Sequence, residues 1–300
     1  MKAIIPVAGQ GTRLLPHTRT VQKALLPVGG KPVLEHILAP LIEAGITSIT
    51  FIVGHLGGQI REFMSSFDSM EVTYVEQTQL LGLGDAVKLG LEAVDEPVVI
   101  VLADTIMELD YKNFLQGHNN VIGVVEVDNP EDFGIVETVG RRVVDLMEKP
   151  SEPVSNLAIA GIYRLASQLQ LRKALDKLRA DHVMTKGEYQ LTDALKLMLD
   201  NGVVIRTEEL DNWLDCGTEV TLLSTNRYLV QQLPGGMFVH PDSKLEGSTA
   251  RGSSIMENCM LIDTIIDDCI IMSGAQLRSC YIHDEIVKAG AQLNGYVTGR

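Results

Sequence analysis

KAIIPVAGQGTR, residues 2–13, carries a short apolar run straight into a loop with two glycines, Gly9 and Gly11. Segments of β and helical character then alternate. VLEHILAPLIEA (33–44) has helical apolar spacing and stops at Gly45, SITFIV (48–53) reads as a strand, and a helical stretch around 58–66 follows. EVTYVE (71–76), a helix over about 83–93 and PVVIVLA (97–103) continue the pattern. Strands separated by helices of this length predict an α/β fold, a Rossmann-like and mostly parallel sheet with helices on both faces. Ligands of such sheets gather beyond the carboxyl ends of the strands, here just after Val7, Val53, Glu76 and Ala103.

The C-terminal part of the chain keeps a different period. VHPDSKL (239–245), IMENCML (255–261), IMSGAQL (271–277) and VKAGAQL (287–293) recur at one fixed interval. Each opens on Val or Ile, closes on Leu, and has a small fifth residue: Ser243, Cys259, Ala275 and Ala291. Ile265, Tyr281 and Val297 keep the register between them. Six-residue steps, three to a repeat, predict a short left-handed parallel β-helix of the hexapeptide type. The expected domains are therefore 1–233 and 234–300, joined through the helical segment TEVTLLSTNRYLVQQLPGG (218–236). The last coil of such a helix has an open edge, which calls for a partner subunit, as in a homodimer or tetramer, or for more chain.

Composition narrows the function. With 45% apolar and 21% charged residues, the chain is too apolar to be disordered, and its apolar runs are too short to span a bilayer. Pro6, Gly9 and Arg13 interrupt any signal-peptide core. Lys and Arg number 25 against 39 Asp and Glu, a net charge of −14, which argues against nucleic-acid or membrane partners. A small anion is still admissible if a few cations gather in one pocket. Cys216, Cys259, Cys269 and Cys280 form no C-x-x-C pair, so neither a zinc site nor a disulfide framework fits, and a reducing cytoplasm is the expected compartment.

The glycine loop by itself fits either a phosphate cradle or an ordinary tight turn. Leu14 stands where a dinucleotide fingerprint needs its third glycine, and Gly30-Lys31 is followed by Pro32 where a P-loop needs Ser or Thr. The wider stretch AGQGTRLLPHTRTVQKALLPVGGKP (8–32), however, resembles the signature of the sugar-1-phosphate nucleotidyltransferases. Further matches follow in family order: Glu76-Gln77, GLGDA (82–86), LAD (102–104), FGIV (133–136), EKP (148–150), AGIY (160–163) and WLDCGT (213–218). The resemblance covers almost all of the chain ahead of the C-terminal repeats. It is closest to the bacterial glucose-1-phosphate uridylyl- and thymidylyltransferases, whose longer thymidylyl forms also carry a β-helix tail.

The resemblance implies that a sugar-1-phosphate oxygen attacks the α-phosphorus of a nucleoside triphosphate, dTTP or UTP favoured, and that pyrophosphate leaves. The acceptor phosphate is already ionised, so the obstacle is repulsion between polyanions. Each cation at ~4 Å offsets about 4 kcal/mol of it at an effective dielectric near 20. Catalysis should then rest on charge and positioning. By the resemblance, Ala8, Gly9, Gly11, Thr12, Gln77 and Gly82 contact the nucleotide, and Arg13 and Lys23 draw charge from the phosphates. Lys149 grips the sugar phosphate, with Gly134, Glu148 and Gly161 against the hexose, glucose favoured. Asp104 and Asp215 would hold Mg²⁺, which prefers few protein carboxylates and keeps waters.

Read as plain residues, some of these have other uses: Asp104 as a turn or N-cap residue, Glu148 as an ion-pair partner of Lys149. Trp213 reads as packing for the loop that bears Asp215, and no histidine has ligand spacing. Three positions depart from the family pattern. Gln22 precedes the loop lysine where Pro or Ser is common, Thr105 stands in place of Asn, and EELDN (208–212) is acidic where thymidylyl members often carry a basic residue. Two other functions stay open: a catalytically silent nucleotide-sugar-binding subunit and a β-helix acyltransferase. Intact Arg13, Lys23, Asp104, Lys149 and Asp215 argue against the first. Four repeats with only His240 and His283 argue against the second.

Overall fold

Ile4 and Ile5 point to opposite sides of an extended segment and both are fully buried, so β1 (Lys2–Val7) is covered on two faces. In the computed structural model, which describes residues 1–67 and 70–298, β1 lies inside a nine-stranded sheet. Parallel to it run β2 (Ser48–Val53) on one side and β4 (Val98–Val101) on the other, with β3 (Glu71–Glu76) parallel beyond β2. The remaining strands are β5 (Asn120–Glu126), β6 (Gly134–Val139), β7 (Arg142–Glu148), β8 (Leu157–Leu165) and β9 (Ile205–Glu209). The order across the sheet is β3-β2-β1-β4-β8-β5-β9-β7-β6.

The expectation of a mostly parallel sheet holds only for its first four strands. Beyond β4, only β5 and β9 pair parallel; β8 is antiparallel to β4 and β5, and β7 to β9 and β6. The cause is local. Strands β5 to β8 follow one another without a crossover helix, and β6 and β7 form a hairpin that turns at Gly140. The helices predicted for 33–44, 58–66 and 83–93 are present as α1 (Val33–Glu43), α2 (Gly57–Met64) and α3 (Leu83–Gly90). Helices α4 (Gln168–Ala180) and α5 (Leu191–Asp200) were not anticipated. Val87, Leu171, Leu175 and Leu195 of α3–α5 share one core with Ile4, Ile100 and Val124 of the sheet.

The chain forms two compact units, Met1–Gln10 with Ile37–Trp213, and Gly11–His36 with Leu214 onward. This division differs from a cut at 233/234, because the loop 11–36 and helix α6 (Glu219–Gln231) pack with the C-terminal strands. Asn226 of α6 is wholly buried and shows why. Its Oδ1 accepts from Gly29 N at 2.9 Å and from Ser254 Oγ at 2.5 Å, while Nδ2 donates to Cys269 O at 3.3 Å and Gly252 O at 3.4 Å.

The C-terminal strands form three parallel ladders, all stepping by the same interval. One runs Val239, Ile255, Ile271, Val287; the second Leu245, Leu261, Leu277, Leu293; the third Ala250, Ile266, Ile282. Corners between ladders are left-handed and repeat with the same step, as at Gly247, Asp263, Ser279 and Gly295. Gly, Asp and Asn suit that conformation at least cost. The small interior residues do more than fill space. Ser243, Ser248, Ser253 and Thr264 each accept, through the hydroxyl, a backbone N–H of the next coil, at 2.8–3.3 Å. All four cysteines are buried, and none forms a disulfide. Gly299 and Arg300 lie outside the described residues.

Asn226→Ala should lower the unfolding free energy by about 2–4 kcal/mol, because it strands a donor at Gly29 and an acceptor at Gly252 and removes the partner of Ser254 Oγ. Chemical denaturation checks this, and a loss under about 0.5 kcal/mol, the range of an ordinary surface substitution, contradicts it.

Candidate active site

In the second unit the glycine loop folds tightly on itself. Gly11 has φ +64°, and a Cβ there would lie 2.9 Å from Thr18 Cγ2 and 3.2 Å from Lys23 Cβ. Thr18 Oγ1 donates to Gly11 O at 2.8 Å. Gly11 opens a single 3₁₀ turn, Thr12–Leu14, which buries Leu14 and leaves Thr12 and Arg13 exposed. A second turn, Lys23–Leu25, is capped by Gln22, whose Oε1 accepts from Ala24 N at 2.6 Å. That capping bond is the local use of the residue that departs from the family pattern. Asp215 ends the strand Asn212–Asp215 and accepts from Gly217 N at 3.1 Å. A Cβ at Gly217 would lie 3.0 Å from Asp215 Oδ1 and 3.1 Å from Arg13 Nη2. The carboxylate and the guanidinium therefore flank one glycine, although they come from widely separated stretches of chain.

In the first unit, Ala8 is buried and Gly9 exposed just beyond β1. A Cβ on Gly9 would meet nothing within 4 Å, so the protein's own packing does not demand a glycine there. Gln77 follows β3 and is buried; its Nε2 donates to Asp85 Oδ2 at 3.1 Å and faces Gly82 O at 3.4 Å. Gly82 has φ +111°, and a Cβ there would lie 2.7 Å from Tyr189 O. Its close approach is thus to the main chain before α5. Asp104 sits in the turn between β4 and the strand Thr105–Glu108.

Glu148, the last residue of β7, is partly buried and accepts from Thr192 Oγ1 of α5 at 2.7 Å. A Cβ on Gly134 would lie 3.0 Å from that hydroxyl and 3.1 Å from Glu148 Oε2. Burial pushes the Glu148 carboxyl up, with Asp193 and Glu188 acting the same way and Thr192 and Lys149 opposing. Thr192, rather than an ion pair with Lys149, is the bonded partner of Glu148. Lys149 has the left-handed φ of +43°, costly for a long side chain, and donates its N–H to Phe133 O at 2.9 Å. Asp193 is also pushed up by burial, and its Oδ2 is buried without a hydrogen-bond partner. Burial raises the Tyr163 phenol, and the charges of Glu148 and Asp104 act the same way.

Gly161 has φ +101° and abuts Leu102, whose N–H donates to Gly161 O at 2.9 Å. Trp213 packs as expected, donating Nε1–H to Ala160 O at 3.0 Å with its ring edge-on to Phe133. Within the acidic run before it, Glu208 is ion-paired to Arg141. Sequence reasoning missed Thr192, Asp193 and the Asp85–Arg179 pair. Thr192 and Glu148 lie on different elements far apart in the chain, and a single sequence carries no periodic signal linking them.

Comparison with known proteins bears on the family and the fold. The nucleotidyl transferase family model matches residues 2–232. A protein of Methanococcus vannielii named bifunctional protein GlmU is 33% identical over 240 residues, 78% of this chain and 56% of its own length. This chain thus spans little more than half of that relative. A glucose-1-phosphate thymidylyltransferase of Streptomyces antibioticus is 29% identical over 300 residues, 94% of this chain and 81% of its own. A crystal structure of UDP-glucose pyrophosphorylase with UDP-glucose superposes with TM-score 0.67 at 24% identity, over 77% of this chain and 98% of that one, and shows the same fold. No helix among the described residues is long and apolar enough to cross a membrane.

Thr192→Val keeps the volume and removes a hydrogen bond that favours the charged form of Glu148. The Glu148 titration, followed by carboxyl ¹³C NMR, should move still higher, and stability at neutral pH should fall by about 1–3 kcal/mol. By linkage, a carboxyl raised by the fold stabilises it only while protonated, and that contribution is lost as pH rises through the folded-state value. An unmoved titration would dissociate Thr192 from Glu148.

Proposed function

Because the chain belongs to the nucleotidyl transferase family, we propose that it transfers a nucleotidyl group from a nucleoside triphosphate to a sugar-1-phosphate, releasing pyrophosphate and forming an NDP-sugar. UTP or dTTP and glucose-1-phosphate are the favoured substrates in this reading. The observation that carries it is the glycine loop: an unobstructed Gly9, a left-handed Gly11, and Arg13 brought beside Asp215 at Gly217.

In the reaction, an oxygen of the sugar phosphate forms a bond to the α-phosphorus. The bond from that phosphorus to the β-bridging oxygen breaks, and its electrons leave with pyrophosphate. No proton need move, so the side chains act by charge and position. Ala8, Gly9, Gly11 and Thr12 line the triphosphate, and Gln77 and Gly82 meet the base. Arg13 and Lys23 take up charge on the departing pyrophosphate. Lys149, which has a left-handed backbone conformation, holds the acceptor phosphate. Glu148, Gly134 and Gly161 face the hexose; Glu148 keeps acceptor capacity for a sugar hydroxyl beside the bond from Thr192. Asp104 and Asp215 offer hard oxygen donors of the kind Mg²⁺ takes, and that ion would neutralise phosphate charge when bound.

These residues all fall within 1–233, which we assign the chemistry. The three C-terminal ladders we read as the faces of a left-handed β-helix, an assembly surface for a homodimer or tetramer. The acyltransferase reading is the less favoured one: His240 and His283 lie in different coils, and each faces an aspartate of its own, Asp242 and Asp267.

Pyrophosphate release across several triphosphates crossed with glucose-, N-acetylglucosamine- and mannose-1-phosphate tests the activity. Turnover should require Mg²⁺ and fall by orders of magnitude in Asp104→Asn and Asp215→Asn; a wild-type rate in either removes that residue as a ligand. Arg13→Ala and Lys149→Ala should fail differently. Lys149→Ala should raise the KM for sugar-1-phosphate, whereas Arg13→Ala should lower kcat, because charge grows on pyrophosphate only as the bond breaks. One to three decades are at stake for contacts worth about 2–4 kcal/mol. An unchanged sugar-phosphate KM in Lys149→Ala refutes the assignment.

A further inference from the structure

A glutamine amide that meets a base can present either its carbonyl or its NH₂, and the two select opposite partners. At Gln77 the choice is made from behind. Nε2 lies 3.1 Å from Asp85 Oδ2 and 3.4 Å from the carbonyl of Gly82. A carboxylate and a backbone carbonyl only accept, so the nitrogen must be the atom turned toward them. With both amide hydrogens directed there, the atom left to present on the other side is Oε1, an acceptor.

Asp85 is itself fixed. It is only 6% exposed, on the first turn of α3, and its second oxygen accepts from Arg179 Nη1 of α4 at 3.0 Å. Arg179 is half exposed, so the chain of bonds runs from surface to interior: Arg179, Asp85, Gln77. All three residues belong to the same compact unit.

We propose that Asp85, held by Arg179, is a specificity-determining residue that fixes Gln77 as a hydrogen-bond acceptor and so restricts the site to bases with a ring N–H at the pairing edge. Uracil and thymine qualify through N3–H. Cytosine, whose N3 is an acceptor, would set two lone pairs against each other and leave a buried acceptor unpaired. The proposal rests on the reading of Gln77 as a base contact and goes beyond it, because Asp85 and Arg179 touch no substrate. They are positioning residues.

Asp85→Asn tests it sharply. Arg179 still demands an oxygen, which turns the new amide nitrogen toward Gln77. Gln77 can satisfy that donor only by turning Oε1 inward, and it then presents NH₂ to the base. UTP and CTP differ at this edge and little elsewhere. The kcat/KM ratio of UTP to CTP should fall by about ten- to a hundredfold in Asp85→Asn, with the sugar-1-phosphate KM little changed. A general loosening of the fold would weaken both nucleotides together and leave the ratio where it was. Arg179→Ala alters a half-exposed side chain and should lower the ratio several-fold, which keeps the test open if Asp85→Asn does not fold. Calorimetric titration of UTP and CTP onto the unaltered protein separates this proposal from the transfer reaction. A binding preference for UTP without turnover sinks the transfer reading alone. Equal binding of UTP and CTP, or a ratio unchanged in the variants, overturns the role of Asp85.

Discussion

One buried amide carries much of the second unit. Asn226 offers an acceptor to the loop that holds Gly29 and to Ser254, and its donors go to the corner at Gly252 and to Cys269. A hydrophobic residue there would leave Gly29 N, Gly252 O and Ser254 Oγ without this partner inside the protein, and a shorter polar one could not reach them all. The bond to Gly29 is the one that bears on the proposed function. The stretch from Gly11 to Gly29 contains Arg13 and Lys23, and it has almost no regular structure of its own beyond single turns. It is held at both ends, by Thr18 against Gly11 and by Asn226 against Gly29.

The candidate site applies two opposite electrostatic treatments. Around the glycine loop, charge is left near water: Arg13 is exposed and Lys23 partly so, which fits the phosphate-binding role proposed for them. Around Glu148, carboxyls are drawn inward, against Asp193 and toward a buried tyrosine, with Glu148 held by the Thr192 hydroxyl. The first arrangement would suit the nucleotidyl transfer proposed for it. The second suits neutral hydroxyls, where direction of hydrogen bonding counts for more than charge.

Sequence patterning revealed what is local. The β1 run, the helices α1 to α3 and the C-terminal repeat all follow from apolar spacing that one stretch of chain displays by itself. The glycine loop and the segments around Asp104, Glu148 and Asp215 were legible because each is a compact motif. What stayed hidden depends on pairs distant in sequence. The antiparallel half of the sheet comes from hairpins whose partners apolar alternation does not name. Thr192 beneath Glu148 and Arg179 behind Asp85 come from helices that nobody would connect to those carboxylates without coordinates. Even the small residues of the repeat were seen for their size, while their hydroxyl bonds to the next coil were not.

The coil repeat quantises the tail. The left-handed corners and the inward aliphatics of the ladders recur at one interval, so the stack has a natural unit of gain or loss: a whole coil. Duplicating or excising one complete coil would leave each remaining residue in an equivalent environment. A single-residue deletion, by contrast, would move corner duty from Asp263 to Thr264, a β-branched residue ill suited to positive φ, and would point the neighbouring charges inward. Length variation in this part of the molecule is therefore all or none, and relatives with longer or shorter tails should differ from it by coils rather than by residues.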